Sequence, residues 1–230
     1  MDTRLTQAEL DALPQKTKKN PDVVKMYLEH DFLTAYAKHT DFRVVVNGYK
    51  GAIGANKDWE RHGQLQLEFL KSQGMQPSHT LLDIGCGTGR LARKAVPYLD
   101  AGCYTGFDIS EGAVKAAWEL SAQEGWINKG PFFSFALVGV TPVDYAWAFS
   151  VFIHLPDDEC GSLMQRVASW LAPGGKFFFS YVPEKVEART GLKQFRHTLE
   201  CYQRMCGNAG LSFEDVPWGA EQRIALARHL

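Results

Sequence analysis

The chain is predicted to fold as an α/β protein: a mainly parallel sheet of seven strands, helices on both faces and an antiparallel hairpin at the C-terminal end. The run Leu81-Leu82-Asp83-Ile84-Gly85-Cys86-Gly87-Thr88-Gly89-Arg90 is a short apolar segment that breaks into closely spaced glycines, with helix-forming residues directly behind. That order reads as a buried strand, a tight turn and a helix. From Thr80 onward, strand-like runs alternate with helical patterns, as in a parallel sheet covered by helices. The last two apolar runs, 211–216 and 223–228, are separated only by residues 217–222. That connection is too short for a crossover, so the two must pair antiparallel.

The elements follow in order. Thr6-Gln7-Ala8-Glu9 has capping-box spacing and starts a short helix, and residues 14–20 form a polar linker. Asn20-Pro21-Asp22 opens a second helix, whose apolar stripe is Val23, Val24, Tyr27, Leu28, Phe32 and Tyr36. The glycine-rich stretch 47–54 is expected to be a loop, and a third helix to span 58–72, with Trp59, Leu65, Phe69 and Leu70 inward. Strands are expected at 81–84, 104–108, 132–135, 144–150 and 176–181, with helices to about 99 and about 124, over 157–171 and around 199–208. Residues 1–73 thus form a helical extension, or lid, and residues 74–230 the ligand-binding domain.

Composition limits the partners. The chain has 230 residues, an ordinary apolar fraction and a net charge of −1, so it has no electrostatic footprint for nucleic acid. Its five cysteines form no C-x-x-C pair or zinc-like array and read as reduced thiols. Without a signal-peptide pattern or a bilayer-length apolar run, the expected location is cytoplasmic, away from membranes. The expected partner is a small-molecule substrate; oligomeric state is left open.

The glycine spacing selects the ligand. Dinucleotide sites read G-x-G-x-x-G, whereas here Asp83 closes the strand before Gly85, Gly87 and Gly89. A carboxylate there would repel a pyrophosphate but suits a ligand bearing an ammonium group. Asp108 ends the next strand-like segment about twenty residues on, the interval at which such folds place an acid on ribose hydroxyls. Ser110 is the expected N-cap of the following helix.

These segments closely resemble motif I and the ribose-binding segment of the class I S-adenosylmethionine (SAM)-dependent methyltransferases. Leu171-Ala172-Pro173-Gly174-Gly175-Lys176 similarly resembles that family's turn into its fifth strand. The resemblance covers about residues 59–228 and implies the Rossmann-like class I methyltransferase fold, with S-adenosyl-L-methionine as cofactor. It further implies that Asp83, Gly85, Cys86, Gly87 and Gly89 cradle the amino-acid part of SAM, with Cys86 a small residue that fits the turn. Asp108 would hold the ribose and Ile109 pack on the adenine. Many relatives carry an acid or amide after the third strand. Here Phe135-Ala136-Leu137-Val138 stands there, so adenine is expected to meet backbone and apolar groups such as Leu137.

Ligands of open parallel sheets sit beyond the carboxyl ends of the strands, which places Ser150 and the following Val151-Phe152-Ile153-His154 opposite the sulfonium methyl. Methyl transfer is an in-line displacement that discharges sulfur, so the protein supplies alignment and exclusion of water. His154 is the candidate general base, packing beneath the next helix being its alternative role. Trp59 and His62, at i,i+3 spacing, are candidates for contact with the cofactor carboxylate. Tyr49, Tyr181, His197, Tyr202 and Trp218 are candidates for the acceptor pocket. The reading is a methyltransferase acting on a small metabolite or sugar-like acceptor, its O, S or N nucleophile unresolved. A SAM-binding module without catalysis would carry the same two aspartates. An NAD(P)-dependent oxidoreductase would need the other glycine spacing and no terminal hairpin.

Overall fold

The computed structural model describes residues 3–52, 58–137, 142–218 and 222–230. Strands β1 (Leu81–Ile84), β2 (Tyr104–Phe107), β3 (Phe132–Ser134), β4 (Val143–Ala148) and β5 (Leu171–Tyr181) run parallel to one another. Between β5 and the end of the chain lie β6 (Ala188–Gly191) and β7 (Gln194–Arg196), then β8 (Glu214–Val216) and β9 (Arg223–Ala227). The main sheet has seven strands in the order β3-β2-β1-β4-β5-β9-β8, with β9 antiparallel to both its neighbours. The predicted terminal hairpin is therefore present. Strands β6 and β7 pair separately as a small antiparallel hairpin that the sequence reading did not anticipate.

Alternation along the strands divides the core in two. Leu82, Ile84, Ala146, Ala148, Phe177 and Phe179 pack with α7 (Asp157–Trp170), α8 (Leu199–Asn208) and the N-terminal helices. Leu81, Tyr145, Trp147 and Phe178 pack with α4 (Trp59–Ser72), α5 (Ala92–Tyr98) and α6 (Glu111–Gln123). In register, Ile84 pairs with Phe107 on one side and with Ala148 on the other, so β1, β2 and β4 end level. Gly85, Asp108 and Phe149-Ser150 all leave the sheet at that edge.

The N-terminal region differs from expectation in two places. Helices α1 (Gln7–Ala12) and α2 (Pro21–Glu29) start at the Thr6–Glu9 capping box and the Asn20 cap as predicted. The second helix, however, does not run on to Tyr36. It stops at His30, and the Asp31 carboxylate accepts from the Thr34 N–H (3.1 Å) to start α3 (Phe32–Ala52). The expected loop at 47–54 is instead helical through Ala52, broken only at Gly48, whose φ of +67° an L side chain would resist; residues 53–54 of that expectation lie outside the described residues. The turn expected at 173–175 is an irregular opening of β5: Val143 pairs with Leu171 but Tyr145 with Lys176, and Gly174 has φ +79°.

Candidate active site

A cavity of about 400 Å³ lies at the common end of β1, β2 and β4, with α3 and the tip of the β6–β7 hairpin on its far side. The glycine turn forms its floor. Gly85 (φ +69°) must lack a side chain, because a Cβ there would stand 2.6 Å from Val151 Cγ2. Gly87 also has positive φ, and its N–H donates to Asp108 Oδ2 (2.9 Å), while the Ser110 N–H donates to Oδ1 (2.9 Å). Asp108 thus ties the first turn to the second and lines the cavity, and burial raises its pKa.

Also on the cavity wall, Asp83 is buried and accepts from the Tyr104 hydroxyl (2.6 Å). Burial pushes its pKa up to about 7, although the Tyr104 hydrogen bond and the nearby Arg90 guanidinium favour the carboxylate. Around it, Arg90 Nε, Gln66 Nε2 and Trp147 Nε1 are buried without hydrogen-bond partners among the described residues, and all three side chains line the cavity. Buried donors left unpaired are costly and point to a missing acceptor. An acid beside unpaired cationic and amide donors fits a zwitterionic amino-acid group, ammonium toward Asp83 and carboxylate toward Arg90 and Gln66.

Beyond β4, Ser150 takes a left-handed conformation (φ +60°), its N–H donating to Ser180 Oγ and its hydroxyl accepting from Gln222 Nε2 (2.7 Å). A short helical turn, Phe152–His154, follows. A carbonyl can only accept, so the 2.8 Å contact between His154 Nδ1 and the Lys193 carbonyl places the proton on Nδ1 and leaves the lone pair on Nε2. Burial, then the Lys193 ammonium, pushes the imidazole down to about 4, so it is neutral at pH 7. His197 supports this turn from behind: its Nε2 lies 3.0 Å from both the Phe152 and the Leu155 carbonyl oxygens, and its Nδ1 2.8 Å from Asp157 Oδ1.

Helix α3 closes the cavity through two contacts absent from the sequence reading. Asp41 Oδ1 accepts from Ser110 Oγ (2.5 Å) and from the Gly112 N–H (2.9 Å), holding α3 on the N-terminus of α6. Thr88 Oγ1 in the glycine turn donates to the Tyr49 carbonyl (2.7 Å). The opposite wall carries Leu33, Tyr36, Thr40, Arg43, Glu159 and Lys193.

Of the residues singled out from the sequence, Asp83, Gly85, Cys86, Gly87, Asp108, Ile109, Leu137, Ser150 and His154 come together on the cavity wall. Val138 lies outside the described residues. Gly89 and Trp59 do not line the cavity. The place of a Gly89 Cβ would lie 3.5 Å from Ala117 Cβ, so this glycine serves close approach of the turn to α6. Trp59 is buried edge-on against the Tyr49 ring (5.6 Å between centroids). Nor do Tyr49, His62, Tyr181, His197, Tyr202 or Trp218 reach the wall; Tyr181 and Tyr202 pack against each other in the core. Gln66, Tyr36, Arg43 and Lys193 were missed. The single helical signal for Tyr36 marked it as core, and nothing local marked the others.

A sheet of this order, parallel strands flanked by the antiparallel β9 and β8, has the Rossmann-like methyltransferase fold. Residues 82–177 match a family model described as a methyltransferase domain. It is 27% identical over 189 residues to phosphoethanolamine N-methyltransferase 1 of Zea mays, covering 74% of this chain and 34% of that one. It is 30% identical over 109 residues to methyltransferase GfsG of Streptomyces halstedii, covering 43% of this chain and 36% of the other. The matched stretches thus span about a third of these curated relatives. In fold it is similar to magnesium protoporphyrin IX methyltransferase of Synechocystis PCC 6803, solved with bound SAM (TM-score 0.67, 20% identity, 87% of this chain and 98% of that one). It is also similar to an O-methyltransferase from neocarzinostatin biosynthesis in complex with S-adenosyl-L-homocysteine (SAH) and 1,4-dihydroxy-2-naphthoic acid (TM-score 0.64, 15% identity, 85% and 61%).

Proposed function

We propose that this protein transfers the methyl group of SAM to a small-molecule acceptor. The carrying observation is the cavity's lining: buried Asp83 together with the unpaired Arg90 and Gln66 donors, and Asp108 together with apolar Ile109 and Leu137. In this reading Asp83, Arg90 and Gln66 hold the amino-acid group. Gly85, Cys86 and Gly87 provide a floor without protruding side chains, Asp108 holds the ribose, Ile109 and Leu137 flank the adenine, and Ser150 lies beside the reacting centre. Residues 1–73 serve as a lid on a SAM-binding domain, residues 74–230, with Asp41 as its latch. Five free cysteines support a reducing, cytoplasmic setting. No helix among the described residues is long and apolar enough to cross a membrane.

When bound, SAM supplies an electrophilic methyl on a sulfonium. The protein aligns the acceptor with that methyl and keeps water out. An acceptor that must lose a proton delivers it to His154 Nε2, the nitrogen left free by the bond from Nδ1 to the Lys193 carbonyl. Calorimetry with SAH, followed by a methyl-release screen over hydroxyl, thiol and amine acceptors, tests the reading. It predicts binding and SAH formation. Tight binding without turnover of any acceptor would favour a non-catalytic SAM sensor, and failure to bind SAH would remove the proposal.

A further inference from the structure

Once Asp83, Arg90 and Asp108 are assigned to SAM, the charges left on the cavity wall do not balance. Arg43 from α3, Lys193 from the hairpin tip and Arg166 from α7 face one remaining carboxylate, Glu159. Lys193 is the anomaly. Lysines at hairpin tips ordinarily extend into water, yet Lys193 occupies the two-residue turn between Gly191 and Gln194 and is only 6% exposed. Its Nζ stands 4.7 Å above the Tyr36 ring, and no carboxylate of the described residues pairs with it or with Arg43. Burial and the Arg43 guanidinium together push its pKa down to about 8, with the Asp108 carboxylate opposing. The Arg43 guanidinium itself has a single long bond, to the Gly51 carbonyl (3.3 Å). Lys193 also lines a second, more open cleft with Lys16, His39, Arg189 and Arg196, whose wall holds no aspartate or glutamate.

Buried cations without partners are costly unless a ligand neutralises them. Resting on the SAM reading above, we propose that the methyl acceptor bears an oxyanion, a carboxylate or a phosphate, held by the Lys193 ammonium and the Arg43 guanidinium. Because the Lys193 carbonyl also accepts from His154 Nδ1, one residue fixes both the anchor and the base. Anchoring the anion then sets the distance from the acceptor's nucleophilic atom to His154 Nε2.

The test uses the SAH-saturated protein, with benzoate and inorganic phosphate as anion probes and benzamide as the neutral control, read by thermal shift and calorimetry. At least one anion should bind and stabilise the complex, benzamide should do neither, and the responding probe distinguishes a carboxylate from a phosphate acceptor. Lys193→Met should weaken that anion by about tenfold or more, the loss expected when a buried charge pair loses a partner, while SAH affinity stays within about threefold because Lys193 does not touch the SAM end. Lys193→Arg, which keeps the charge, should retain the response and guards against misfolding of the Met variant. Equal binding of benzamide, no binding of either anion, or an unchanged response in Lys193→Met overturns the proposal. Loss of SAH binding by the wild-type protein would instead overturn the underlying SAM assignment.

Discussion

At the scale of single residues, the site rests on two ionisable groups that burial drives away from their ordinary behaviour. Asp83 holds its proton up to about pH 7 in the folded protein but releases it near pH 4 when unfolded. The folded state therefore binds the extra proton, and Asp83 costs stability progressively as pH rises from about 4 to about 7. Asp83→Asn keeps an oxygen for the Tyr104 hydroxyl and removes that cost. Its melting temperature without ligand should exceed wild type by more at pH 8 than at pH 5. Its SAH affinity should fall by about 30-fold or more, as when a buried charged pair loses a partner. A variant that binds SAH normally would contradict the assignment of the ammonium.

His154 behaves in the opposite sense. Its imidazole stays neutral down to about pH 4, whereas the unfolded chain protonates near 6.5, so its contribution to stability falls as pH drops through that interval. In the proposed role of general base it would be available throughout the neutral range. At saturating SAM, the acid limb set by His154 should fall near pH 4, whereas kcat/KM for SAM should decline below about pH 7 as Asp83 protonates. His154→Ala should lower kcat by about 100-fold or more with SAH affinity nearly intact. Steady-state rates across pH for both proteins check this, and unchanged turnover would leave His154 a packing residue.

At the scale of elements, α3 is held over the site by Asp41, which caps α6 from another helix. Asp41→Ala should cost about 1 kcal/mol, the usual value of a lost helix cap. SAH dissociation should also be faster, since the latch sits on the segment that carries Ser110. Stopped-flow release of SAH checks this; an unchanged off-rate would separate α3 from ligand retention. Likewise Gly85→Ala forces a methyl group toward Val151, where the gap is 2.6 Å, and should disrupt the turn and ligand binding together.

The elements also show why half of the site could be read from sequence and half could not. The part of the site proposed for SAM is local: a strand, a glycine turn and a strand-end acid lie in order within residues 81–110, and each needs a particular residue type for a backbone reason. The part proposed for the acceptor has no such signature. Tyr36, the last residue of the apolar stripe expected for the second helix, and Arg43 beyond it meet Lys193, from a hairpin whose strand segments ARTG and QFR show little apolar alternation. Their meeting is a product of tertiary packing. The break at His30-Asp31 was missed because the apolar stripe of α2 continues in phase into α3, while a short polar cap at Asp31 interrupts the backbone.

At the scale of the whole molecule, the parallel strands bring three segments distant in sequence to their common end, and the antiparallel β9 and β8 extend the sheet beyond β5. Both faces of that sheet are covered, so the ligand crevice must lie at the strand ends. A crystal structure grown with SAH measures the central claim directly. The account predicts the ligand ammonium against Asp83, its carboxylate at Arg90 and Gln66, and both ribose hydroxyls on Asp108. A phosphate-bridged dinucleotide preferred in that crevice, or SAH bound elsewhere on the chain, would contradict it.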